Sequence, residues 1–181
     1  TDDDEIVEVS KDFGADVPFM RPSEYATDEA TSVDVVLQLL EQLEVQNEQY
    51  EYIILLQPTS PLRTTENINE SIELLIKRRS DGVVSVCEVE HSPFWSNILP
   101  DDDSLSGFLD KSIINKRSQD LEKFYRLNGA IYLCNSKRLM QEKTFFLKDD
   151  IYAFKMSREV SIDIDTGIDL DLARLIKNGN K

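Results

Sequence analysis

The segment YIILLQPTSPLR, residues 52–63, decides the fold class that we predict for this chain. Its first five residues form an unbroken apolar run of strand length, which is typical of a strand covered on both faces within a parallel sheet. The run stops at Gln57, and Pro58 and Pro61 then exclude both further strand and helix. The sequence therefore predicts a central strand that ends in a rigid polar loop.

Helical and strand patterns continue on both sides of this segment. Apolar residues at helical spacing predict amphipathic helices over 31–43 and 66–79. We predict further helices before Gly14 and at 136–140 and 169–177, and further strands at 82–90, 129–135, 152–156 and 161–165. Because helices alternate with mostly continuous strands, we expect one α/β domain over residues 1–181, with helices on both faces of a mostly parallel sheet.

The polar segment 92–124 interrupts this alternation. It carries few periodic signals and is too long for a simple connection between two elements. We expect it to form either a lid or an excursion that contacts another subunit.

The composition argues against several classes of function. The chain carries a formal net charge of -15, and nucleic-acid phosphates and anionic membranes repel such an acidic surface. It contains no apolar run of membrane-spanning length, so we expect neither a transmembrane helix nor, from its first residues, a signal peptide. Cys87 and Cys134 lie far apart within apolar runs, which favours buried, reduced cysteines in a cytoplasmic protein.

Polar clusters lie next to the predicted strand ends, where ligands gather in an open α/β sheet. They are the loop at Arg21, QPTSPLR at 57–63, RLNG at 126–129 and SIDID at 161–165. Alternation along a strand would place Asp163 and Asp165 on one face, and two carboxylates there could hold Mg²⁺. The alternative is a solvated strand end that carries two unrelated aspartates.

The two central clusters also allow two interpretations each. The loop 57–63 is either a rigid turn that caps the next helix or a support that projects Gln57 and Arg63 over a cleft. Gly129 would let backbone approach a ligand closely, whereas the alternative for 126–129 is an ordinary β-turn with a surface arginine. No G-x-S-x-G, zinc-ligand or Walker spacing occurs in the sequence, so hydrolase, zinc and P-loop interpretations lack support.

Taken together, the motifs resemble one known family. Five segments follow in the order found in acylneuraminate cytidylyltransferases (CMP-sialic acid synthetases): RPSEYATDEATSVDVV at 21–36, IILLQPTSPLRT at 53–64, VVSVCEVEHSPFW at 83–95, FYRLNGAIYLCN at 124–135 and SIDIDT at 161–166. The resemblance implies a three-layer, Rossmann-like nucleotidyltransferase fold. It also implies that CTP and a nonulosonic acid such as N-acetylneuraminate give the CMP-sugar and pyrophosphate, in a cytoplasmic step that supplies lipopolysaccharide or capsule synthesis.

The resemblance assigns roles to individual residues. It implies that Asp163 and Asp165 are the catalytic, Mg²⁺-binding pair. The implied nucleotide-binding residues are Arg21, Thr31 and Ser32, and the implied sugar-binding residues are Gln57, Arg126, Asn128, Tyr132, Phe145 and Phe146. Core packing is an alternative for one of the two phenylalanine rings. The segment 92–124 matches the family's dimerisation element, which implies a homodimer whose sites are completed across subunits.

Two departures from the family pattern affect what we expect. Ser118 stands where the family usually has an arginine before Gln-Asp-Leu, with Arg117 one residue earlier. The family's phosphate loop, ARxGSKxxxxKN, is absent, so we expect that a strand, loop and helix of roughly 40 residues precede this sequence in a complete domain. The absent loop would neutralise triphosphate charge, and we therefore expect the 181-residue chain alone not to catalyse the reaction. CMP-sugar formation by the purified chain would contradict this expectation.

Other functions stay open at this point. Related enzymes activate legionaminic, pseudaminic or deoxy-octulosonic acid, and a few pocket residues separate such sugars. The RLNGAIY and Phe-Phe elements favour nine-carbon sugars. A different class is a catalytically inactive binding or dimerisation module that keeps the fold. An in-frame ARxGSK-like segment upstream of Thr1 would favour the enzyme over this module.

Overall fold

The computed structural model describes residues 1–179 and contains helices and strands in alternation. The elements in chain order are α1 (Asp4–Asp12), α2 (Ser32–Val45), β1 (Tyr52–Leu55), α3 (Thr65–Arg78), β2 (Gly82–Glu88), β3 (Tyr125–Asn135), α4 (Ser136–Glu142), β4 (Ile151–Met156) and α5 (Gly167–Gly179). Short 3₁₀ turns lie at Ser23–Tyr25, Pro93–Trp95, Ser118–Asp120 and Arg158–Val160. The predicted α/β class is therefore confirmed. Across residues 1–179, the helices are too short or too polar for any of them to cross a bilayer.

The described strands form one mixed sheet in the order β1-β3-β2-β4. Strand β3 pairs antiparallel with both β1 and β2, while β2 and β4 pair in parallel. Three strands therefore run in one direction, and β3 runs against them. This differs from the mostly parallel pairing expected from sequence, and β1 lies at an edge rather than the centre. An apolar run indicates a strand that is covered on both faces, but it does not show which strands lie beside it.

Successive residues of each strand point to opposite faces of the sheet, and their apolar side chains form one cluster on each face. Helix α3 covers one face, where Leu75 packs with Val83, Leu133 and Phe154. Helices α2 and α4 cover the other face, where Leu40 and neighbouring side chains pack around Cys134, Leu139 and Leu147. The expected layers of helix, sheet and helix are therefore present. Both cysteines are buried and free, as predicted.

Local capping explains why α2 and α3 begin where they do. Thr31 accepts a hydrogen bond from the Asp34 backbone, and Thr64 accepts one from the Asn67 backbone. In each case the side chain at the third helical position bonds back to the cap residue, which completes a capping box. The predicted helix starts at 31 and near 64–66 therefore have a direct physical cause.

The strand predicted at 161–165 is wrong. Residues 161–166 are irregular, and the 3₁₀ turn Arg158–Val160 precedes them. The Ile164 backbone N–H donates to the Thr59 carbonyl at 2.8 Å. The backbone of this segment therefore bonds to the loop after β1 instead of to a neighbouring strand, which anchors both polar segments to each other.

Arg63 holds the loop after β1 against β3. Its Nη1 lies 2.8 Å from the Gln57 carbonyl oxygen, 3.0 Å from that of Ser60 and 3.1 Å from that of Ala130. Burial lowers the pKa of this guanidinium. Arg63 therefore supports the loop from beneath and does not project over a cleft, which corrects the functional interpretation considered for it from sequence.

We predict that Arg63→Met lowers the free energy of unfolding by about 2 to 3 kcal/mol, because it leaves partly buried carbonyl groups without a donor. Urea denaturation measures this change. Arg174→Met is the matched control, since Arg174 pairs with an exposed Asp171 at 3.3 Å and should cost less than about 0.5 kcal/mol. Equal losses in the two variants would contradict a bracing role for Arg63.

Candidate functional site

Strand β3 contains a large bulge opposite Ser85. Val84 pairs with Tyr132 and Val86 pairs with Leu127, so Ser85 alone faces the four residues 128–131. Gly129 adopts a φ of +70° there, in the left-handed region that glycine enters at low cost. We call residues 128–131 the β3 bulge. It lies within β3, which begins at Tyr125, whereas the sequence predicted a strand only over 129–135.

Buried hydrogen bonds fix the conformation of the β3 bulge. The fully buried Asn128 accepts a hydrogen bond from Ser85 Oγ at 2.6 Å and donates through Nδ2 to Ser161 Oγ at 2.9 Å. Ser85 Oγ also accepts from the Ile131 backbone N–H at 2.8 Å, and Ser60 Oγ donates to the Asn128 carbonyl at 3.1 Å. Buried polar groups that are satisfied in this way specify one local conformation.

The surroundings of Asn128 correct its expected role. The resemblance implied a direct sugar contact, but both ends of this amide bond to serine hydroxyls inside the protein. Asn128 therefore supports the bulge from below. Sequence reasoning missed Ser85 as its partner, although a serine within the apolar run VVSV was a detectable signal of a buried polar contact.

The bulge brings two predicted site residues to one point. A Cβ atom added to Gly129 would lie 2.9 Å from Gln57 Oε1, 3.0 Å from Asp163 Oδ2 and 3.2 Å from Ser60 Oγ. The Gln57 amide and the Asp163 carboxylate therefore converge over the bare Cα of Gly129. Any larger residue there would force these groups apart. The groups that approach Gly129 closely here are protein side chains, and the approach to a ligand that the sequence suggested stays a prediction.

Asp163 has a free acceptor at this point. Its Oδ1 is buried and has no hydrogen-bond partner among residues 1–179. A buried, unsatisfied carboxylate oxygen is costly unless a cation or donor completes it. The Asp163 carboxylate, whose Oδ1 has no partner within residues 1–179, therefore fits a divalent cation that prefers hard oxygen ligands.

Asp165 differs from Asp163 in its surroundings. Its side chain is exposed, and its backbone N–H donates to Asp169 Oδ2 at 3.3 Å. Residues 161–166 are not a strand, so the alternation argument for a shared face does not hold. Within residues 1–179, no group of three or more His, Cys, Asp or Glu side chains is arranged to hold a metal. A metal held here by one or two carboxylates would therefore draw its remaining ligands from the substrate or water.

Arg126 and Tyr132 lie within electrostatic reach of Asp163. The pKa of the Arg126 guanidinium is raised mainly by its hydrogen bond to Glu90 and also by the Asp163 charge. The pKa of Tyr132 is raised mainly by burial and then by the same carboxylate. The charge of Asp163 thus acts on two predicted sugar-binding residues, and β3 carries both of them.

The paired phenylalanines separate into one core ring and one exposed ring. Phe145 is 4% exposed and Phe146 is 52% exposed. The Tyr132 ring centroid lies 5.6 Å from that of Phe145 and 6.2 Å from that of Phe146. Phe145 packs in the core beneath Tyr132, which corrects its expected sugar contact, whereas Phe146 offers an accessible aromatic edge beside Tyr132.

Within residues 1–179, the predicted nucleotide-binding residues make no bond to this group. The Thr31 hydroxyl donates to Asp34 Oδ2 at 2.6 Å and serves as the cap of α2, which Ser32 begins. Arg21 Nε is buried and has no partner within residues 1–179. No hydrogen bond or ion pair among these residues joins Arg21, Thr31 or Ser32 to the side chains around Gly129.

We predict that Gly129→Ala lowers the free energy of unfolding by about 2 to 4 kcal/mol, because it combines left-handed strain with overlap against Gln57 and Asp163. Gly107→Ala isolates the strain, since Gly107 has a φ of +76° and open space around it. That control should cost about 1 kcal/mol. Thermal and urea unfolding measure both variants, and equal costs would show that the bulge does not crowd these side chains.

The chain resembles proteins of known activity over most of its length. A CMP-N,N'-diacetyllegionaminic acid synthase of Legionella pneumophila is 32% identical over an alignment of 187 positions. The alignment covers 100% of this chain and 77% of that protein. An N-acylneuraminate cytidylyltransferase of Streptococcus agalactiae is 38% identical over 149 residues, which cover 81% of this chain and 34% of that protein.

A solved structure and a family profile agree with these relatives. The structure of a CMP:2-keto-3-deoxy-manno-octonic acid synthetase complexed with CTP matches with a TM-score of 0.65 at 13% identity, over 100% of this chain and 80% of that chain. This likeness confirms the nucleotidyltransferase fold that the sequence motifs implied. A family profile described as "Cytidylyltransferase" matches residues 1–180. The chain therefore belongs to the cytidylyltransferase family.

Proposed function

We propose that this protein transfers the cytidylyl group of CTP to a nonulosonic acid, with N-acetylneuraminate as the first candidate and N,N'-diacetyllegionaminate as the alternative. The observation that carries the proposal is the convergence of Gln57 and Asp163 over Gly129, with one Asp163 oxygen that has no partner in the described part of the chain. Family membership and the names of relatives at 32% and 38% identity support the same chemistry.

The reaction exchanges one phosphorus–oxygen bond for another. The anomeric hydroxyl of the sugar attacks the α-phosphorus of CTP, the bond to the β-phosphate oxygen breaks, and pyrophosphate leaves. The hydroxyl proton passes to solvent. Such a transfer needs positioning of the two substrates and neutralisation of charge more than covalent chemistry by the protein.

Asp163, with Asp165 as its partner, is the proposed holder of Mg²⁺. Asp163 Oδ1, which no group of residues 1–179 pairs with, supplies a buried, hard oxygen at the point where the two substrates would meet. When bound, Mg²⁺ would neutralise negative charge on the phosphates of CTP. The protein's own part is to keep Asp163 in place, which the Ser161–Asn128 bond and the Ile164–Thr59 backbone bond do.

The sugar is proposed to lie against β3 and the loop after β1. Gln57 would donate or accept hydrogen bonds to its hydroxyl groups, and Arg126 would face its carboxylate. Tyr132 and the exposed Phe146 would contact its side chain, where an aromatic edge accommodates an acyl group. Arg21, whose Nε is buried and has no partner within residues 1–179, is proposed to contact the nucleotide near Thr31 and Ser32.

We also propose a homodimer formed through segment 92–124. Several large apolar side chains of this segment are exposed, with Ile98 at 90%. Leu105 and Ile114 are exposed as well, and apolar groups presented along one segment favour burial against a second copy. A dimer of this kind would work in the cytoplasm, where CTP is available.

We predict that Asp163→Asn lowers Mg²⁺-dependent pyrophosphate release at least about 100-fold, because one carboxylate of the metal site is lost. The assay contains CTP, Mg²⁺ and, in turn, N-acetylneuraminate, N,N'-diacetyllegionaminate, pseudaminate and deoxy-octulosonate. It is run on the 181-residue chain and on the same chain extended upstream by a glycine- and lysine-containing phosphate loop. Asp171→Asn, which alters an exposed ion pair of α5, is the control and should keep wild-type turnover.

Binding of Mn²⁺, followed by its electron paramagnetic resonance signal, gives a readout that does not require turnover. Wild type and Asp171→Asn should bind the ion, whereas Asp163→Asn should bind it at least about tenfold more weakly. Turnover of none of the four sugars by either folded chain would contradict the proposed function. Undiminished Mn²⁺ binding by Asp163→Asn would contradict the proposed metal site alone.

A further inference from the structure

We infer that Glu90 is a positioning residue that fixes the Arg126 guanidinium and directs its remaining N–H groups toward an anionic ligand. The inference rests on the proposed function, because that function supplies the anion as the carboxylate of an acid sugar. Glu90 lies just beyond the end of β2, at the position where the chain leaves the sheet for segment 92–124.

The contact between the two side chains has two points. Arg126 Nε donates to Glu90 Oε2 at 3.1 Å, and Arg126 Nη2 donates to Glu90 Oε1 at 2.9 Å. Two parallel bonds of this kind fix the plane of the guanidinium as well as its position. The hydrogen bond from Arg126 is also the main reason that the pKa of Glu90 falls to about 2, so Glu90 stays ionised throughout the neutral range.

The remaining donors of Arg126 can be counted. Its guanidinium has five N–H groups, and Nη1 donates to the Leu127 carbonyl at 3.2 Å. With two groups held by Glu90, one N–H on each terminal nitrogen is left. A pair of donors on neighbouring nitrogens matches the two oxygens of a carboxylate. Glu90 therefore selects which edge of Arg126 a ligand can reach.

Glu90 also connects β3 to the segment that carries Asp163. Its Oε1 lies 3.7 Å from Arg158 Nε, and Arg158 begins the 3₁₀ turn that leads to Ser161 and Asp163. The Glu90 carboxylate is thus close to two cations. Arg126 lies on the strand that carries the β3 bulge, and Arg158 lies on the segment that leads to Asp163. This arrangement gives Glu90 an effect on ligand geometry without any contact with the ligand.

A double-mutant cycle on ligand affinity tests the inference. Dissociation constants are measured by calorimetry for wild type, Glu90→Ala, Arg126→Ala and the double variant, without CTP. The probe is whichever of N-acetylneuraminate, N,N'-diacetyllegionaminate, pseudaminate and deoxy-octulosonate binds wild type most tightly. Glu88→Ala is the control, because Glu88 pairs with one cation, Lys123, at 3.2 Å and, within residues 1–179, makes no side-chain hydrogen bond or ion pair to a proposed sugar-binding or metal-binding residue.

We predict that Glu90→Ala weakens binding about tenfold, and that adding Glu90→Ala to Arg126→Ala weakens it by less than about twofold more. Glu88→Ala should bind as wild type does. Equal losses on both backgrounds would overturn the inference, since Glu90 would then act independently of Arg126. Tighter binding by Glu90→Ala would also overturn it, because Glu90 would then compete with the ligand for Arg126.

A second measurement separates this inference from the proposed function. The Arg126 Nε–H signal in ¹H–¹⁵N NMR spectra should be protected from solvent exchange in wild type and lose that protection in Glu90→Ala, with no ligand present. An unprotected signal in wild type would overturn the positioning contact. Protection in wild type, together with no binding of any of the four sugars, would instead overturn the proposed function and keep the contact between Glu90 and Arg126.

Discussion

The amide of Asn128 lies buried between β2 and β3, with its oxygen bonded to Ser85 and its nitrogen to Ser161. These two hydrogen bonds stabilise the β3 bulge and connect it to the segment that carries Asp163. Ser60 joins the same network from the loop after β1. Three polar segments that are distant in sequence therefore meet over Gly129, and the proposed chemistry depends on that meeting.

Charge is the second constraint on this site. The chain has a net charge of -15, while CTP and an acid sugar are both anions, so the general field of the protein opposes their binding. Local cations must therefore outweigh it. Arg126, bonded to Glu90, is the proposed source of one, and a metal at the Asp163 oxygen that has no partner within residues 1–179 would supply another. The proposed role of Glu90 and Asp163 is therefore to position positive charge.

The sequence predicted local features better than long-range ones. The helices predicted over 31–43 and 66–79 from apolar spacing are present at Ser32–Val45 and Thr65–Arg78, and capping within four residues explains where they start. The strand expected at 161–165 failed because its backbone bonds to Thr59, a partner about a hundred residues away that alternation cannot reveal. Asn128 was identified as important through a motif, but only its buried partners showed that it supports the site instead of facing the ligand.

The most direct measurement of this account is a crystal structure of the protein with Mg²⁺ and the CMP-sugar product. The account predicts a metal ion coordinated by Asp163 Oδ1 at about 2.1 Å, with the sugar carboxylate on Arg126 and the sugar hydroxyls on Gln57. A product bound away from Gly129, for example in the groove of about 420 Å³ that Glu44, Tyr50 and Lys137 help to line, would contradict it.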